Sequence, residues 1–420
     1  MARTKSGNQV FLEAIKNKYY IDFFSGCGGL SLGLGYAGWN GLFAIEKDPM
    51  AYATFKHNLI DADAPYPHFQ SWPDWISKES HAIEDVLDDP DICDHFKKLR
   101  GKVALVAGGP PCQGFSVAGA RNGNDPRNLL VFKQIRAIQM IKPIICVVEN
   151  VGGFARKFIS QPINGISISI ADAAVKEIEE LGYNVGRVTI NAADYGVPQV
   201  RKRFVLHAVR KDINKELESI GFVFDLPKVT HNKNGDKGFK KWKTVKEVID
   251  DLPKIKAGEE YKDDGKIHNH KCANLSKMNL KRIKIIRKNG GSRDGLPEDL
   301  ILDCHKKKDK NGKAFSGHGD VYGIMNPDKP APTITGGCLC YSKGRYGHYN
   351  QDRAISIREA ARLQTFPDDF MFDNSLTSSA LQIGNAVPID LVRASGAVFK
   401  EAIRSIKLNR ARQKRRIKEV

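Results

Sequence analysis

The sequence predicts an α/β fold, in which a doubly wound, mostly parallel sheet is interrupted by a smaller inserted domain. Three observations carry this prediction. Short apolar runs end abruptly at glycine, proline or acidic residues, as buried parallel strands do. Stretches with helical spacing separate these runs. From Lys211 to about Pro332 the strand rhythm is lost and basic residues prevail, which predicts a second domain there.

Composition narrows the class of protein. The chain has 420 residues, with 66 Lys and Arg against 48 Asp and Glu, and a net charge of +18. This excess favours a polyanionic partner such as nucleic acid. The eight cysteines are scattered, as expected of reduced thiols, and no apolar stretch reaches the roughly 18 residues of a membrane span. We therefore expect a cytoplasmic protein of two or three domains.

The first strand, 19–24, runs directly into a glycine-rich turn at 25–30, and a helix is expected from Leu30 to about Gly38. A strand, such a turn and a helix together let a ligand approach bare backbone amides at the helix N-terminus. The alternative is a turn that only connects the two elements. The turn is therefore a candidate ligand loop.

The second strand, 41–45, ends at Glu46. An acidic residue at this place can accept hydrogen bonds from ribose hydroxyls, although it can also be a solvated charge. Asp48 and Pro49 then open a helix that extends through His57. Residues 83–87 are expected to form a short third strand or a turn, followed by a helix through Leu99.

Cys112 lies in a loop beyond the apolar run 103–107, which predicts a buried parallel strand. Pro110 and Pro111 hold the approach to the thiol stiff, while the glycines after it leave the far side free to move. This pattern predicts a nucleophile under a closing loop that extends to Asn128. The alternative for a lone cysteine is a buried structural thiol.

Another buried strand, 143–148, ends at Glu149, after a helix over 129–141. Two strands of one parallel sheet would thus bring Cys112 and Glu149 to the same edge. A carboxyl group beside a thiol in a semi-closed site can act as a proton donor.

A helix over 163–181 and a strand over 183–192 are expected next, followed by a strand over 199–209. Strict alternation would put Arg201, Arg203 and Val205 on one face of that last strand. Arginines there could bind phosphate or hold a substrate carbonyl.

Six blocks, in family order, resemble the motifs of DNA cytosine-5 methyltransferases of the bacterial restriction-modification type. They are Asp22–Gly29, Pro110–Gln113, Glu149–Val151, Gln199–Arg203, Arg358–Gln364 and Gln382–Pro388. The resemblance implies the S-adenosylmethionine-dependent methyltransferase fold and that cofactor. It also implies a monomeric enzyme that acts on a specific sequence in double-stranded DNA and protects host DNA from a cognate restriction endonuclease.

The resemblance also carries roles over to residues of this chain. Catalysis is expected of Cys112, Glu149, Arg201 and Arg203. Contacts to the cofactor are expected of Phe24, Ser25, Gly26, Cys27, Gly28, Gly29, Leu30, Glu46, Lys47, Asp85, Val86, Pro111, Asn385 and Val387. Contacts to DNA are expected of Gln113, Ser116, Arg127, Thr333, Lys281, Arg282 and Lys284, the last three because Lys271–Lys288 holds seven basic residues and no acid.

The chemistry explains why such residues are needed. Carbon 5 of cytosine is too electron-poor to take a methyl group until a thiolate adds at carbon 6 and turns the ring into an enamine. Glu149 would protonate ring nitrogen 3, and Arg203 would hold the base carbonyl and orient Glu149. Because carbon 6 is stacked inside a duplex, the cytosine must be flipped out.

The expected domains are a catalytic domain over 1–210, a target-recognition domain over 211–376, and a return to the catalytic domain with a basic tail over 377–420. The cysteines and histidines at 268–272, 304–305 and 338–340 match no common zinc spacing, so no metal site is expected. Two rival functions are a tRNA cytosine-5 methyltransferase and a non-catalytic DNA-binding relative. The insert of more than 100 residues before Arg358 favours reading of DNA.

Overall fold

The computed structural model describes residues 13–111, 126–155, 169–262, 265–306, 320–372 and 374–418. The chain forms two compact units. The first comprises residues 1–191, 202–229 and 389–420, and the second comprises residues 192–201 and 230–388. None of the described helices is long and apolar enough to cross a membrane.

The first unit contains a six-stranded sheet with the strand order β2-β1-β3-β4-β6-β5. Its strands are β1 (Tyr19–Phe23), β2 (Asn40–Ile45), β3 (Leu105–Gly108), β4 (Ile145–Val151), β5 (Tyr183–Asn191) and β6 (Lys202–Arg210). Strands β1 to β4 are parallel, whereas β6 is antiparallel to both β4 and β5. This mostly parallel sheet, with α-helices between its successive strands as far as β5, confirms the predicted fold class.

The helices of the first unit lie before, between and after these strands. They are α1 (residues 13–17), α2 (Gly29–Tyr36), α3 (Pro49–Leu59), α4 (Ile83–Asp88), α5 (Pro90–Lys98), α6 (Leu130–Ile141), α7 (Ile170–Glu180), α8 (Lys211–Ser219) and α14 (Ile389–Lys418). Strand β3 is buried along its whole length, so its sequence is apolar throughout. Its last residue must be glycine, because a Cβ on Gly108 would lie 2.6 Å from the carbonyl oxygen of Phe23.

The expectation of a third strand or a turn at 83–87 was wrong, because this stretch forms helix α4. Ile83, Val86 and Leu87 are buried in the core of the first unit, at the i, i+3 and i+4 spacing of one helix face. Glu84 and Asp85 lie in the first turn, where the helix dipole favours acidic residues.

The predicted strand at 199–209 begins three residues later than expected, at Lys202. Residues 199–201 instead belong to the second unit, where the Val200 N–H donates to the carbonyl of Ala331 at 2.9 Å. The predicted common face for Arg201 and Arg203 is therefore wrong, because strand alternation does not reach Arg201.

The second unit is built from short elements and long irregular segments. These elements are β7 (His231–Asn232), β8 (Lys240–Lys241), α9 (Val245–Ile249), α10 (Lys277–Lys288), α11 (Asp303–Lys306), α12 (Ile357–Leu363) and α13 (Leu376–Asn385). Ile283 and Ile286 of α10 pack in a small apolar cluster with Tyr322, Ile324 and Tyr341. Such a unit lacks the strand rhythm that marks the first.

A buried ion pair anchors α12 of the second unit. Arg353 donates two hydrogen bonds to Glu359, at 2.7 and 2.6 Å, and Glu359 also closes a capping box with Ser356. Burial alone would raise the pKa of Glu359, but hydrogen bonds from Arg353 and His348 outweigh it, so this pKa lies well below its usual range. The acidic residue of the Arg358–Gln364 block is thus a structural anion.

Candidate active site

Four parallel strands of the first unit bring candidate residues to one edge of its sheet. The register places four strand residues side by side, namely Phe23, Ile45, Gly108 and Val148. The residues that follow them lie at the same level, namely Phe24, Glu46, Gly109 and Glu149. Glu149 is still part of β4 there and pairs with Val205 of β6. Open α/β sheets bind their ligands at this edge.

The glycine-rich loop is tied to the end of β2 through Glu46. One carboxylate oxygen of Glu46 accepts from the Gly26 N–H at 2.8 Å, and the other accepts from the Asp48 N–H at 2.8 Å. Burial raises the pKa of Glu46, although these backbone hydrogen bonds oppose the shift. Glu46 therefore positions the loop, and its remaining acceptor capacity is available to a ligand.

The loop leaves backbone open to a ligand. Gly26 has φ +56°, and a Cβ placed on it would meet nothing within 4 Å. Gly28 is the N-cap of α2 with φ 101°, and it provides no side-chain cap for the first amides of the helix. Amides of this kind bind anionic groups such as a carboxylate.

Phe24 and Asp22 lie just before the glycines. Phe24 has φ 61°, a left-handed conformation that is rare outside glycine and that often marks a functional site. Asp22 is fully buried and accepts from the Ser31 hydroxyl at 2.7 Å, which ties β1 to α2. Burial raises the pKa of Asp22 to about 7.

Other predicted cofactor residues differ in what they can offer. Cys27 is buried, and burial raises the pKa of its thiol to about 12, so it is not a reactive thiol. Leu30 and Val86 are also buried, and the Val86 side chain packs in the core of the first unit. Lys47 and Asp85 are exposed. Because its side chain is buried, Val86 could contact a ligand only through its backbone.

The Glu149 carboxylate and the Arg203 guanidinium form an ion pair at the same edge. Glu149 Oε1 lies 2.8 Å from Arg203 Nε, and both side chains are nearly buried. The pair spans neighbouring strands, because Arg203 faces Val151, two residues beyond Glu149 on β4. Burial lowers the pKa of Arg203, while its attraction to Glu149 opposes the shift.

The loop that leads to Cys112 lies beside this pair. A Cβ on Gly109 would lie 3.3 Å from Glu149 Oε2, a tight contact, so the carboxylate lies close to the backbone of this loop. Asn150 donates its side-chain amide to the Pro110 carbonyl at 3.1 Å. Pro111 is partly exposed, and Cys112, Gln113 and Ser116 lie outside the described residues. Strand β4 thus holds both the acid and the start of the cysteine loop.

Arg201 has different surroundings from Arg203. It is fully buried in the second unit and donates to the carbonyls of Ile334, Gly384 and Ala386 at 2.7 to 3.0 Å. Gln199 accepts from the Ile334 N–H at 2.8 Å and donates to the Gln364 side chain at 2.9 Å. Residues of three motif blocks and of the segment around Thr333 therefore meet in one buried polar cluster.

The remaining predicted residues lie in several places. Thr333 donates its hydroxyl to the Val200 carbonyl at 2.9 Å, and Asn385 and Val387 lie at the end of α13, all in the second unit. Arg127 is exposed in a short 3₁₀ turn of the first unit. The contacts of these residues to the cofactor or to DNA remain predictions.

The lysines of helix α10 are exposed, whereas its arginines are bound within the unit, although Lys284 also lies 4.0 Å from Asp352. Lys277, Lys281, Lys284 and Lys288 are all exposed, and their spacing of four, three and four residues puts them on one face. Arg282 instead donates to the Leu300 carbonyl at 2.8 Å and lies over the Tyr322 ring, and Arg287 pairs with Asp352 at 2.5 Å. The lysines can meet a polyanion, whereas the arginines stabilise the unit.

The histidine and cysteine candidates for metal binding have other partners. His270 is buried between the Ser356 hydroxyl and the Pro253 carbonyl, at 2.9 and 2.7 Å, and the Cys272 thiol donates to the Lys256 carbonyl at 3.1 Å. Among the described residues, no three His, Cys, Asp or Glu side chains are placed to hold a metal ion.

Sequence reasoning missed three amides that organise these sites, namely Asn150, Gln199 and Gln364. Asn150 tethers the Pro110 carbonyl, and Gln364 donates to the carbonyl of Ile383 at 2.6 Å. All three lie inside the motif blocks, and this position was the one signal in the sequence that could have identified them. A neutral amide carries no chemistry of its own, so its role appears only once its partners are known.

Comparisons with known proteins are consistent with this geometry. A family model described as C-5 cytosine-specific DNA methylase matches residues 19–401. The Type II methyltransferase M1.HphI of Haemophilus parahaemolyticus is 34% identical over 385 residues, covering 91% of this chain and 86% of the relative. The Type II methylase M.HgiDII of Herpetosiphon aurantiacus is 32% identical over 390 residues, covering 92% and 96%.

Solved structures show the same fold. A prophage-encoded protein of E. coli matches with a TM-score of 0.55 and 23% identity, covering 91% of this chain and 98% of its own. The S. pombe Dnmt2 methyltransferase matches with a TM-score of 0.51 and 15% identity, again covering 91% and 98%. At these identities the likeness concerns the fold alone.

Proposed function

Because the chain belongs to the family of C-5 cytosine-specific DNA methylases, we propose that it methylates DNA through Cys112, Glu149 and Arg203. The family match and the Type II relatives confirm the predicted activity, DNA cytosine-5 methylation. One observation carries the proposal for the residues. The 2.8 Å ion pair of Glu149 and Arg203 lies beside the loop that leads to Cys112.

In the proposed mechanism the Cys112 thiolate adds to carbon 6 of a flipped cytosine, and the ring electrons move toward carbon 5. Glu149 donates a proton to ring nitrogen 3, which makes carbon 6 electrophilic. Arg203 holds the Glu149 carboxyl group in place and binds the base carbonyl. Once carbon 5 carries the methyl group, a base removes its remaining proton, the Cys112 sulfur leaves as carbon 6 regains its double bond, and ring nitrogen 3 returns its proton to Glu149.

The cofactor of this family fits the glycine-rich loop of the first unit. When bound, S-adenosylmethionine supplies the methyl group that carbon 5 receives. We propose that Glu46 accepts from its ribose hydroxyls, that the uncapped amides of α2 bind its carboxylate, and that the strained Phe24 contacts its adenosine. The open space at Gly26 supports this assignment.

We propose that the target-recognition domain, expected over 211–376, lies in the second unit and begins at residue 230, because residues 211–229 belong to the first unit. Its lysine face on α10 offers contacts to phosphates, which carry no sequence information. A cleft of about 290 Å³ in the same unit is lined by Asn274, Asn279, Ser342 and Lys343 among others. Amide and ammonium groups of this kind can read base edges, so we assign base recognition to this cleft.

Two finer points complete the proposal. Relatives with Type II names support pairing with a restriction endonuclease of the same target. We also propose a monomeric enzyme, as the resemblance to the family implies. Sedimentation of the protein with and without duplex DNA tests the monomer.

Methyl transfer to DNA and to tRNA, measured side by side with labelled S-adenosylmethionine, tests the substrate. Wild-type protein should label duplex DNA, and bisulfite sequencing should place the mark within one short sequence. Cys112→Ser should abolish transfer while S-adenosylmethionine affinity stays within about threefold, because the thiol acts on the base. Normal turnover by this variant, or labelling of tRNA alone, would overturn the proposal.

A further inference from the structure

A basic cleft of about 430 Å³ lies in the first unit, at α1, the end of α2 and α14. Its charged lining residues are Lys16, Lys18, Lys400, Arg404, Lys407 and a single acid, Glu401. Glu401 lies 3.5 Å from Arg404. Within the described part of the chain, none of the four lysines has a carboxylate within ion-pair distance. The cleft therefore carries a clear excess of positive charge.

Two of the lysines have a structural role that the others lack. Lys18 donates to the Gly38 carbonyl at 3.2 Å and Lys400 to the Ala37 carbonyl at 2.9 Å, so both bind the end of α2. Lys16, Arg404 and Lys407 are exposed. Burial lowers the pKa of Lys18, and the positive charges of Lys400 and Lys407 lower it further. Like charges are thus held close together, and a bound anion would reduce the repulsion between them.

The cleft is distinct from the methylation site. Lys18 precedes β1, whereas Phe24 follows it, so the two lie at opposite ends of a five-residue strand. At about 3.3 Å per residue, the six residue steps from Lys18 to Phe24 place them about 20 Å apart. A ligand in the cleft is therefore neither the methyl donor nor the flipped base.

The extended distribution of positive side chains favours a polymeric anion over a small one. Helix α14 continues beyond the cleft with exposed Arg412, Lys414, Arg415 and Arg416. From Lys400 to Arg416 the helix extends over about 24 Å at 1.5 Å per residue. Duplex DNA carries one negative charge per about 1.7 Å of its axis and so matches such an extended basic surface.

We propose that this cleft and the basic end of α14 form an accessory binding site for the phosphate backbone of duplex DNA outside the methylated target. The site holds DNA without reading its sequence, and so keeps the enzyme on long DNA while it searches for a target. This inference rests on DNA being the substrate. Methylation of a short target duplex tests that premise separately.

The test compares a duplex of about 14 base pairs with one of about 60 base pairs, both carrying one target. The variant Lys16→Gln/Arg404→Gln/Lys407→Gln leaves the two lysines of the α2 end in place. Its matched control removes three exposed lysines elsewhere in the first unit, Lys78, Lys98 and Lys176, by the same change.

For the cleft variant we expect weaker binding of the long duplex, by up to about eightfold per lost phosphate contact at 0.1 M salt. The slope of log affinity against log salt should fall by about 0.9 per contact. Its kcat and kcat/KM on the short duplex should match those of the wild type. An unchanged slope on long DNA, an equal loss on both duplexes, or the same loss in the control variant would each overturn the accessory site.

Discussion

Arg203 Nε lies 2.8 Å from Glu149 Oε1, across the antiparallel boundary between β6 and β4. The antiparallel strand is what makes this relationship possible. It brings an arginine from a later part of the chain to the same edge at which β4 delivers the acid. Because both side chains are nearly buried, the pair is held in one geometry before any substrate binds.

Arg203→Lys keeps a positive charge but loses the planar guanidinium that can hold the acid and the base carbonyl together. We expect kcat to fall by about 100-fold or more, the scale of a lost transition-state hydrogen bond, with little change in S-adenosylmethionine affinity. Single-turnover methylation at saturating DNA measures the effect. In the control Arg187→Lys, at an exposed pair with Asp172, kcat should stay within about twofold. A variant at position 203 with wild-type kcat would remove Arg203 from the mechanism.

Glu46→Ala tests the link between the glycine-rich loop and the cofactor. The change removes the acceptor for the Gly26 and Asp48 N–H groups as well as the proposed ribose acceptor. S-adenosylmethionine binding should weaken by about 1–3 kcal/mol, as measured by calorimetry. Asp88→Ala, at an exposed acid of α4, should leave affinity unchanged. Equal affinity in the Glu46 variant would exclude this residue from the cofactor site.

Asp22 should make stability depend on pH. Its pKa is raised from 3.8 to about 7 in the folded protein, chiefly by burial, so the folded state holds a proton that the unfolded state releases. This contribution to stability is complete below about pH 4 and is lost as pH rises toward 7, by at most about 4 kcal/mol.

Asp22→Asn removes this titration and keeps an acceptor for Ser31. The difference in free energy of unfolding between variant and wild type should therefore grow in favour of the variant between pH 4 and 7. Urea unfolding without cofactor, at several pH values, measures it. Parallel pH curves for the two proteins would show that Asp22 does not titrate in this range.

The sequence predicted the first unit well because its signals are local. Each parallel strand is a short apolar run, and Glu46 and Glu149 each follow a residue that the register aligns with the neighbouring strands, although β4 continues beyond Glu149 to Val151. The prediction for residues 83–87 was wrong because so short a pattern of apolar residues suits a strand as well as one turn of a helix. Glu84 and Asp85 were the signal that favours a helix, because acidic residues are stabilising in the first turn.

The sequence predicted the second unit poorly because its order comes from contacts distant in the chain. Arg201 was expected to act beside Arg203, yet its guanidinium binds carbonyls more than 130 residues away. Alternation along a strand holds only while the strand lasts, and β6 begins at Lys202. Nothing in the local pattern marks that boundary.

Recognition of DNA should separate into affinity from α10 and discrimination from the neighbouring cleft. Replacing Lys277, Lys281, Lys284 and Lys288 by Gln should weaken all duplexes alike and lower the salt slope by about 0.9 per lost phosphate contact. Arg282→Gln should instead lower thermal stability, because Arg282 binds the Leu300 carbonyl and lies over Tyr322.

Lys343→Ala, in the cleft, should act in the opposite way to the lysine variant. A group that reads a base edge contributes about 1–3 kcal/mol of discrimination, so target and non-target affinities should converge by that amount. The slope of log affinity against log salt should change little, because the lost contact is to a base and not to a phosphate. Competition between target duplex and single-substitution duplexes, at two salt concentrations, separates the two effects. A uniform loss across sequences would place Lys343 with the phosphate contacts and leave base reading to other residues of the second unit.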